Sequence, residues 1–184
     1  MIRALVVFCA MAIVGGPWYT DPGYDWLRHS VSELAGQSTA NAWVMRAGLA
    51  ALGVSAMVAF ATLRERFNAF FLVFGLCIAL SAVFPHRPFL PGIAYSQTLD
   101  DLHSLFASLG GFAAVLAFAF TAGRPGSPGP RLSDGILALL YTVLPAAMFT
   151  FPDFQGLFQR IIFVTFIVWM LVFGGARRDR RGRT

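Results

Sequence analysis

Long, largely apolar blocks recur along the chain at residues 2–19, 41–63, 67–84, 99–122, 134–151 and 158–175, separated by short charged or turn-rich segments. The hydrocarbon core of a bilayer takes roughly 20 apolar residues as helix, and a chain inside it must satisfy every backbone N–H and C=O internally. The pattern therefore predicts an all-α integral membrane bundle of six transmembrane helices, a single domain over residues 1–176, with a basic tail at 177–184. The first block, with Arg3 before an uncharged run, has the outline of a signal peptide, but it ends in Gly15-Gly16-Pro17-Trp18-Tyr19. That ending reads as an interfacial aromatic belt rather than a cleavage site, so a retained helix is expected.

Composition sharpens this picture. The chain is 57% hydrophobic and 12% charged, whereas soluble domains carry about a quarter charged residues. All 14 basic residues are arginine. An N-terminus in the cytoplasm puts ten of them there, namely Arg3, Arg64, Arg66, Arg124, Arg131, Arg177, Arg178, Arg180, Arg181 and Arg183, and leaves Arg28, Arg46, Arg87 and Arg160 outside. Positive charge is retained on the cytoplasmic side, so an N-in/C-in topology is expected. The carboxylates run the other way, with Asp21, Asp25, Glu33, Asp100, Asp101 and Asp153 outside. A tail of arginines directly after a hydrophobic helix reads as a headgroup anchor rather than a nucleic-acid contact. Cys9 and Cys77 lie in apolar blocks without metal or redox spacing and read as inert.

Candidate chemistry then falls on the outer end of the bundle. Asp25 to Gly36 is the densest polar stretch, and Ser30 followed by Glu33 has the spacing of a capping box at the start of a short helix. His29 and Ser32 are left free of that role. Asp100 and His103 are three apart and share a face. Small residues Ser104, Ala107, Ser108, Gly110 and Gly111 follow on the same helix, so His103 is expected to face the interior, bonded between helices or functional. The catalytic candidates are His29, Ser32, Asp101 and His103. His29, His86 and His103 with Asp101 also offer a zinc ligand set whose open position would activate water, although no short-range spacing enforces convergence. His86 reads equally as a solvated loop residue. A haem held by His29 and His103 has no further support. Arg46 and Arg160 lie inside blocks, where burial is costly, and at least one is expected to pair with Glu33, Asp100 or Asp101 unless both snorkel to water. Pro145 predicts a kink in the fifth block.

The run Arg28-His29-Ser30-Val31-Ser32-Glu33-Leu34-Ala35, Phe84-Pro85, Leu102-His103 and Gly156-Leu157-Phe158-Gln159-Arg160 resembles the domain-of-unknown-function 998 family of bacterial and archaeal polytopic membrane proteins. The resemblance covers nearly the whole chain in order and spacing. It implies a multi-pass protein of a bacterial or archaeal plasma (inner) membrane, without an established activity. His29, Ser32, Glu33, His103 and Arg160 fall on matching positions. The family often has an acidic residue soon after Phe-Pro, where this chain has His86-Arg87, and that departure weakens a zinc site. Together these residues define an expected outer polar cluster of His29, Ser30, Ser32, Glu33, Asp101, His103 and Arg160, with Arg160 bonded to Glu33.

Three function classes are compatible with the sequence. Small size and the lack of a catalytic signature favour a non-enzymatic component, either an accessory subunit of a membrane complex or a bundle that organises partners or lipids. An intramembrane hydrolase would use the His, Ser and Asp cluster, with zinc or an activated Ser32. A small transporter or sensor would need a polar path toward the inner face, and the sequence offers none.

Overall fold

The computed structural model describes residues 1–63, 67–123 and 132–173. Within them all regular structure is helical: α1 (Ile2–Tyr19), α2 (Val31–Leu34), α3 (Ala42–Thr62), α4 (Ala69–Val83), α5 (Gln97–Ala122), α6 (Leu132–Thr150), a 3-10 turn at Pro152–Phe154, and α7 (Gln155–Phe173). Arg64, Arg66, Arg124, Arg131, the end of the sixth expected span and the arginine tail lie outside the described residues.

The long helices fall within a few residues of the apolar blocks. Ile2–Tyr19, Ala42–Thr62, Gln97–Ala122, Leu132–Thr150 and the continuous Pro152–Val172 are long and apolar enough to cross a bilayer. The third block is shorter as a helix than its hydropathy suggested. The Asn68 side chain caps the start of α4 by accepting from the Phe70 N–H at 3.0 Å, and Pro85 disfavours helical backbone at Phe84 before it. The 15 residues of α4 span about 22 Å, less than the roughly 30 Å of a hydrocarbon core.

Packing partners arrange the helices in a ring. α1 lies on α3, α3 on α4, α4 on α5, α5 on α6, α6 on α7, and α7 returns to α1. The α3 and α4 backbones meet closely: a Cβ on Gly53 would lie 2.5 Å from the Gly75 carbonyl oxygen, and one on Gly75 would lie 2.6 Å from that of Gly53. Outward faces are apolar, with Met11, Val14, Leu139, Phe112 and Phe149 exposed, far more contiguous hydrophobic surface than a water-soluble monomer shows. This is a multi-pass membrane protein. Inside the ring, toward the end opposite α2, Phe67, Phe71, Phe118, Phe166, Trp169 and Met170 form the core. Phe71 stacks on Trp169 at 5.1 Å, and the Trp169 indole N–H donates to buried Asp134 at 2.8 Å.

Candidate functional site

Residues 20–41 fold back across one end of the ring and carry α2 with them. Both ends of the segment are tied down: Asp21 accepts from the Ala40 N–H at 2.7 Å, and the Asn41 amide donates to the Tyr19 carbonyl at 2.7 Å. The capping box is present. Ser30 accepts from the Glu33 N–H at 3.2 Å, while the Glu33 carboxylate accepts from the Ser30 N–H at 2.5 Å. The next N–H groups of this short helix go to a different element. Gln159 Oε1 on α7 accepts from Val31 N at 2.5 Å and Ser32 N at 3.2 Å, and its Nε2 donates to the Ser32 hydroxyl at 3.3 Å.

Arg160, one residue on, completes the attachment. It is 7% exposed, and its Nη1 donates to the carbonyls of Trp26 at 2.6 Å, His29 at 3.0 Å and Gly156 at 3.0 Å. Nη2 donates to the Tyr24 hydroxyl, which in turn donates to the Ser30 carbonyl at 3.0 Å. Burial raises the Tyr24 pKa to about 12, with the opposing pull of Arg160 too weak to offset it, so the phenol stays protonated. The expected bond from Arg160 to Glu33 does not form, since the carboxylate is held by its own capping box. Arg46 behaves alike, donating to the carbonyls of Ala35 at 2.9 Å and Gly36 at 3.0 Å rather than to a carboxylate. The physical reason is the same for both. An irregular segment laid over a bundle presents carbonyls with no helical donor, and a guanidinium carries five N–H donors in a fixed fork. The start of α7 also relies on this segment, with Gly156 N donating to Arg28 O at 3.2 Å and Leu157 N to Leu27 O at 3.0 Å. A Cβ on Gly156 would collide with the carbonyl oxygens of His29, Trp26 and Leu27.

The histidines divide into two places. His29 accepts from the Asp25 N–H through Nδ1 at 2.9 Å and packs against Tyr24 and Phe89. His86 and His103 instead lie together, ring centroids 5.0 Å apart. His86 is thus a half-buried partner of His103 rather than a solvated loop residue, with its Nδ1 2.5 Å from Asp100 Oδ1. Burial, then the neighbouring His103, lower the His86 pKa to about 4 although Asp100 opposes them. His103 is 2% exposed, facing inward as its small-residue surroundings predict. Its Nδ1 lies 2.8 Å from the carbonyls of Ser81 and Phe84; both oxygens only accept, so Nδ1 carries the proton and Nε2 is left a buried lone pair without a partner among the described residues. The buried carboxylate of this group is Asp100, which also accepts from the Arg87 N–H at 2.8 Å. Asp101 is exposed and bonded to Gln97. Residues 97–103 are helical, so adjacent carboxylates point about 100° apart, and the inward one belongs to the His103 face. The three histidines with Asp101 consequently do not converge, and no group of three or more His, Cys, Asp or Glu side chains among the described residues is placed to hold a metal. His29 and His103 likewise do not face one another as haem ligands.

Beneath α2 the ring forms a part-open cavity of about 720 Å³, with the exposed Phe112 and Phe149 in its wall and a volume within the roughly 300–1,000 Å³ of sites that take organic ligands. Its polar lining includes Ser32, Arg87, Gln155 and Gln159 at the α2 end. Phe74, Ile78, Val115, Phe163 and Phe166 make apolar walls farther in. Gly111 lines it too, and a Cβ there meets nothing within 4 Å, whereas one on Gly110 would lie 3.3 Å from Cys77 and Ile78. Of the two adjacent glycines expected to admit a neighbouring helix, only Gly110 does. Pro145 also lines the cavity from α6. Ser32 contacts the cavity, but its hydroxyl is engaged by Gln159, and no histidine bonds to it among the described residues. Sequence reasoning gave Gln155 and Gln159 no site role, counted Arg87 only as an outer charge, and put Asp101 in the cluster although Asp100 was the residue read on the His103 face. The signal for Gln159 was its place beside a costly buried arginine.

The chain matches the family model described as a protein of unknown function (DUF998) over residues 4–176. It belongs to that family. No curated protein matches it, and no solved structure does.

Proposed function

We propose that, within the DUF998 family to which it belongs, this chain is a non-enzymatic membrane component that holds an amphiphilic guest in the cavity between α5, α6 and α7. The observation that carries this reading is the make-up of the cavity wall. Ser32, Arg87, Gln155 and Gln159 gather near α2, while farther in Phe74, Ile78, Val115, Phe163 and Phe166 line it, and the Tyr141 and Thr142 hydroxyls beside them already donate to the carbonyls of Ile162 and Ala138. Such a wall matches a molecule with one polar end and one apolar end, and a bundle of lipid-facing helices gives that molecule a lateral route in. A six-span N-in/C-in arrangement in a bacterial or archaeal plasma membrane fits the reading: the arginine asymmetry favours it, and α4 completes the ring of helices despite its length. The polar end of the cavity is then the outer one. In this role the chain acts as an accessory component, organising a lipid for other membrane proteins.

Two features weigh against the competing classes. A hydrolase needs a base in hydrogen-bond reach of its nucleophile, and the Ser32 hydroxyl has an amide as its neighbour. A transporter needs a continuing polar path, and Phe71, Phe118, Phe166 and Trp169 fill the ring beyond the cavity.

The test is mass spectrometry of molecules retained by the full chain after gentle detergent purification, compared with Gly111→Phe, which directs a ring into open space. One amphiphile held near one per protein, and depleted in Gly111→Phe with an unchanged thermal midpoint, is expected. Retained lipids that mirror the bulk membrane in both proteins would overturn the reading.

A further inference from the structure

The identity of the guest's polar end can be argued further, resting on the reading just given. Among the described residues the cavity wall contains one charged residue, Arg87, which is exposed at the mouth of the cavity, and no carboxylate. Arg87 sits on the loop between α4 and α5, and its guanidinium makes no ion pair among the described residues. Its nearest acid is already occupied: Asp100 takes the Arg87 backbone N–H at 2.8 Å and lies against the His86 ring. Around the same end, Gln155, Gln159 and Ser32 add amide and hydroxyl groups that can bond to an oxyanion. A guanidinium beside an apolar cavity, with its neighbouring carboxylate engaged, is a place for an anion and is adverse to a cation.

Volume bears on the other end. The cavity of about 720 Å³ is part-open, with exposed Phe112 and Phe149 in its wall, so its size sets the least that the guest places there and not the most. That is room for at least one hydrocarbon chain laid against the apolar wall. We infer that the site takes an anionic amphiphile, with a carboxylate or phosphate charge beside Arg87 and a hydrocarbon chain against Phe74, Ile78, Phe163 and Phe166.

The experiment uses the full chain in nanodiscs of zwitterionic lipid with a radiolabelled long-chain carboxylate as probe. Competitors of matched chain length are an alkyl phosphate, a monoacylglycerol and an alkylamine, with inorganic phosphate as a headgroup without a chain. The carboxylate and alkyl phosphate should compete equally, the neutral and cationic amphiphiles about tenfold more weakly, and inorganic phosphate not at all. Arg87→Gln should remove the preference for anions while leaving weak binding of all three chain classes, and Arg87→Lys should keep most of it. Equal binding of anionic, neutral and cationic chains, or an unchanged preference in Arg87→Gln, would overturn the inference and mean that Arg87 only reaches to water. Competition by inorganic phosphate alone would overturn it too, since the chain would then contribute nothing. If no amphiphile binds in a way that Gly111→Phe blocks, the cavity reading fails; if binding is blocked by Gly111→Phe but indifferent to charge, only the headgroup assignment fails.

Discussion

Arg160 donates to the backbone carbonyl of Trp26 at 2.6 Å, joining α7 to a segment 134 residues earlier in the chain. That contact belongs to a set in which one guanidinium meets three carbonyl oxygens and the Tyr24 hydroxyl. The folded-back segment is thus fixed to the bundle by a side chain from near the other end of the sequence. Because Arg160 and Gln159 are neighbours on α7, the same turn of helix that holds residues 24–29 also orients α2 above the cavity.

Replacing Arg160 by Met should therefore destabilise the fold. It strips the donor from part-buried carbonyls of Trp26 and His29 and from the Tyr24 hydroxyl, and a buried polar group left unsatisfied costs about 1–3 kcal/mol. With several groups affected but only part-buried, a loss of about 1–3 kcal/mol is expected, read as a lowered thermal midpoint in detergent. Arg160→Lys should recover little, since one ammonium lacks the planar fork that reaches Tyr24 and Trp26 together. Arg28, fully exposed in its pair with Asp153, is the contrast: Arg28→Ala should leave the midpoint unchanged. A Met variant as stable as the parent would show that the carbonyls find other donors.

How much of this was visible in the residues depends on the range of each interaction. The Ser30 and Glu33 capping box was readable because both partners lie within one helical turn, where spacing fixes geometry. Burial of His103 was readable from the small residues that follow it. The partners of Arg46 and Arg160 were misjudged because carboxylates are visible in a sequence and unpaired carbonyls are not. Any residue can supply a carbonyl, and only the path of the 20–41 segment decides which ones lack a donor. The choice of Asp100 over Asp101 needed the phase of α5. The cavity was invisible because Gly110 and Gly111 are the same residue, and helix packing alone assigns one to a contact and the other to open space.

Those two settings for glycine give a paired test. Gly156→Ala places a methyl group against three carbonyl oxygens and should destabilise by about 1–3 kcal/mol, the usual cost of overpacking. Gly111→Ala meets nothing within 4 Å and exchanges glycine for the best helix former, a gain of up to about 1 kcal/mol in a helix interior. Opposite shifts of the thermal midpoint are expected. Similar effects at both positions would contradict the close approach of α7 to the Trp26 to His29 carbonyls.

Gln159→Leu keeps much of the side-chain volume but removes the acceptor for Val31 N and Ser32 N. These amides should become the fastest-exchanging of the α2 segment, with protection falling about tenfold or more for the loss of about 1.5 kcal/mol. Hydrogen exchange with peptide-level mass spectrometry reads this directly. Gln159→Glu retains an acceptor and should preserve most of the protection, which separates loss of the bond from loss of packing. Unchanged exchange in the Leu variant would mean that α2 is held by its own capping box alone.

His86 gives the pH dependence its sign. Its folded pKa lies at about 4 against an ordinary 6.5, so between those values the unfolded chain binds the proton that the folded chain refuses. Stability rises with pH wherever the unfolded state holds more protons. The contribution of His86 is therefore complete above about 6.5, declines as the pH falls, and is gone below about 4. The thermal midpoint of the parent protein should drop as detergent samples are taken from pH 7 to pH 4.5, by more than that of His86→Asn, which has no proton to gain. Asp100 and Arg87 sharpen the test from either side. Asp100→Asn removes the group that opposes the shift and should move the decline to lower pH, whereas Arg87→Gln removes a repulsive charge and should move it to higher pH. Coincident curves for the parent and His86→Asn would place the titrating group elsewhere in the chain.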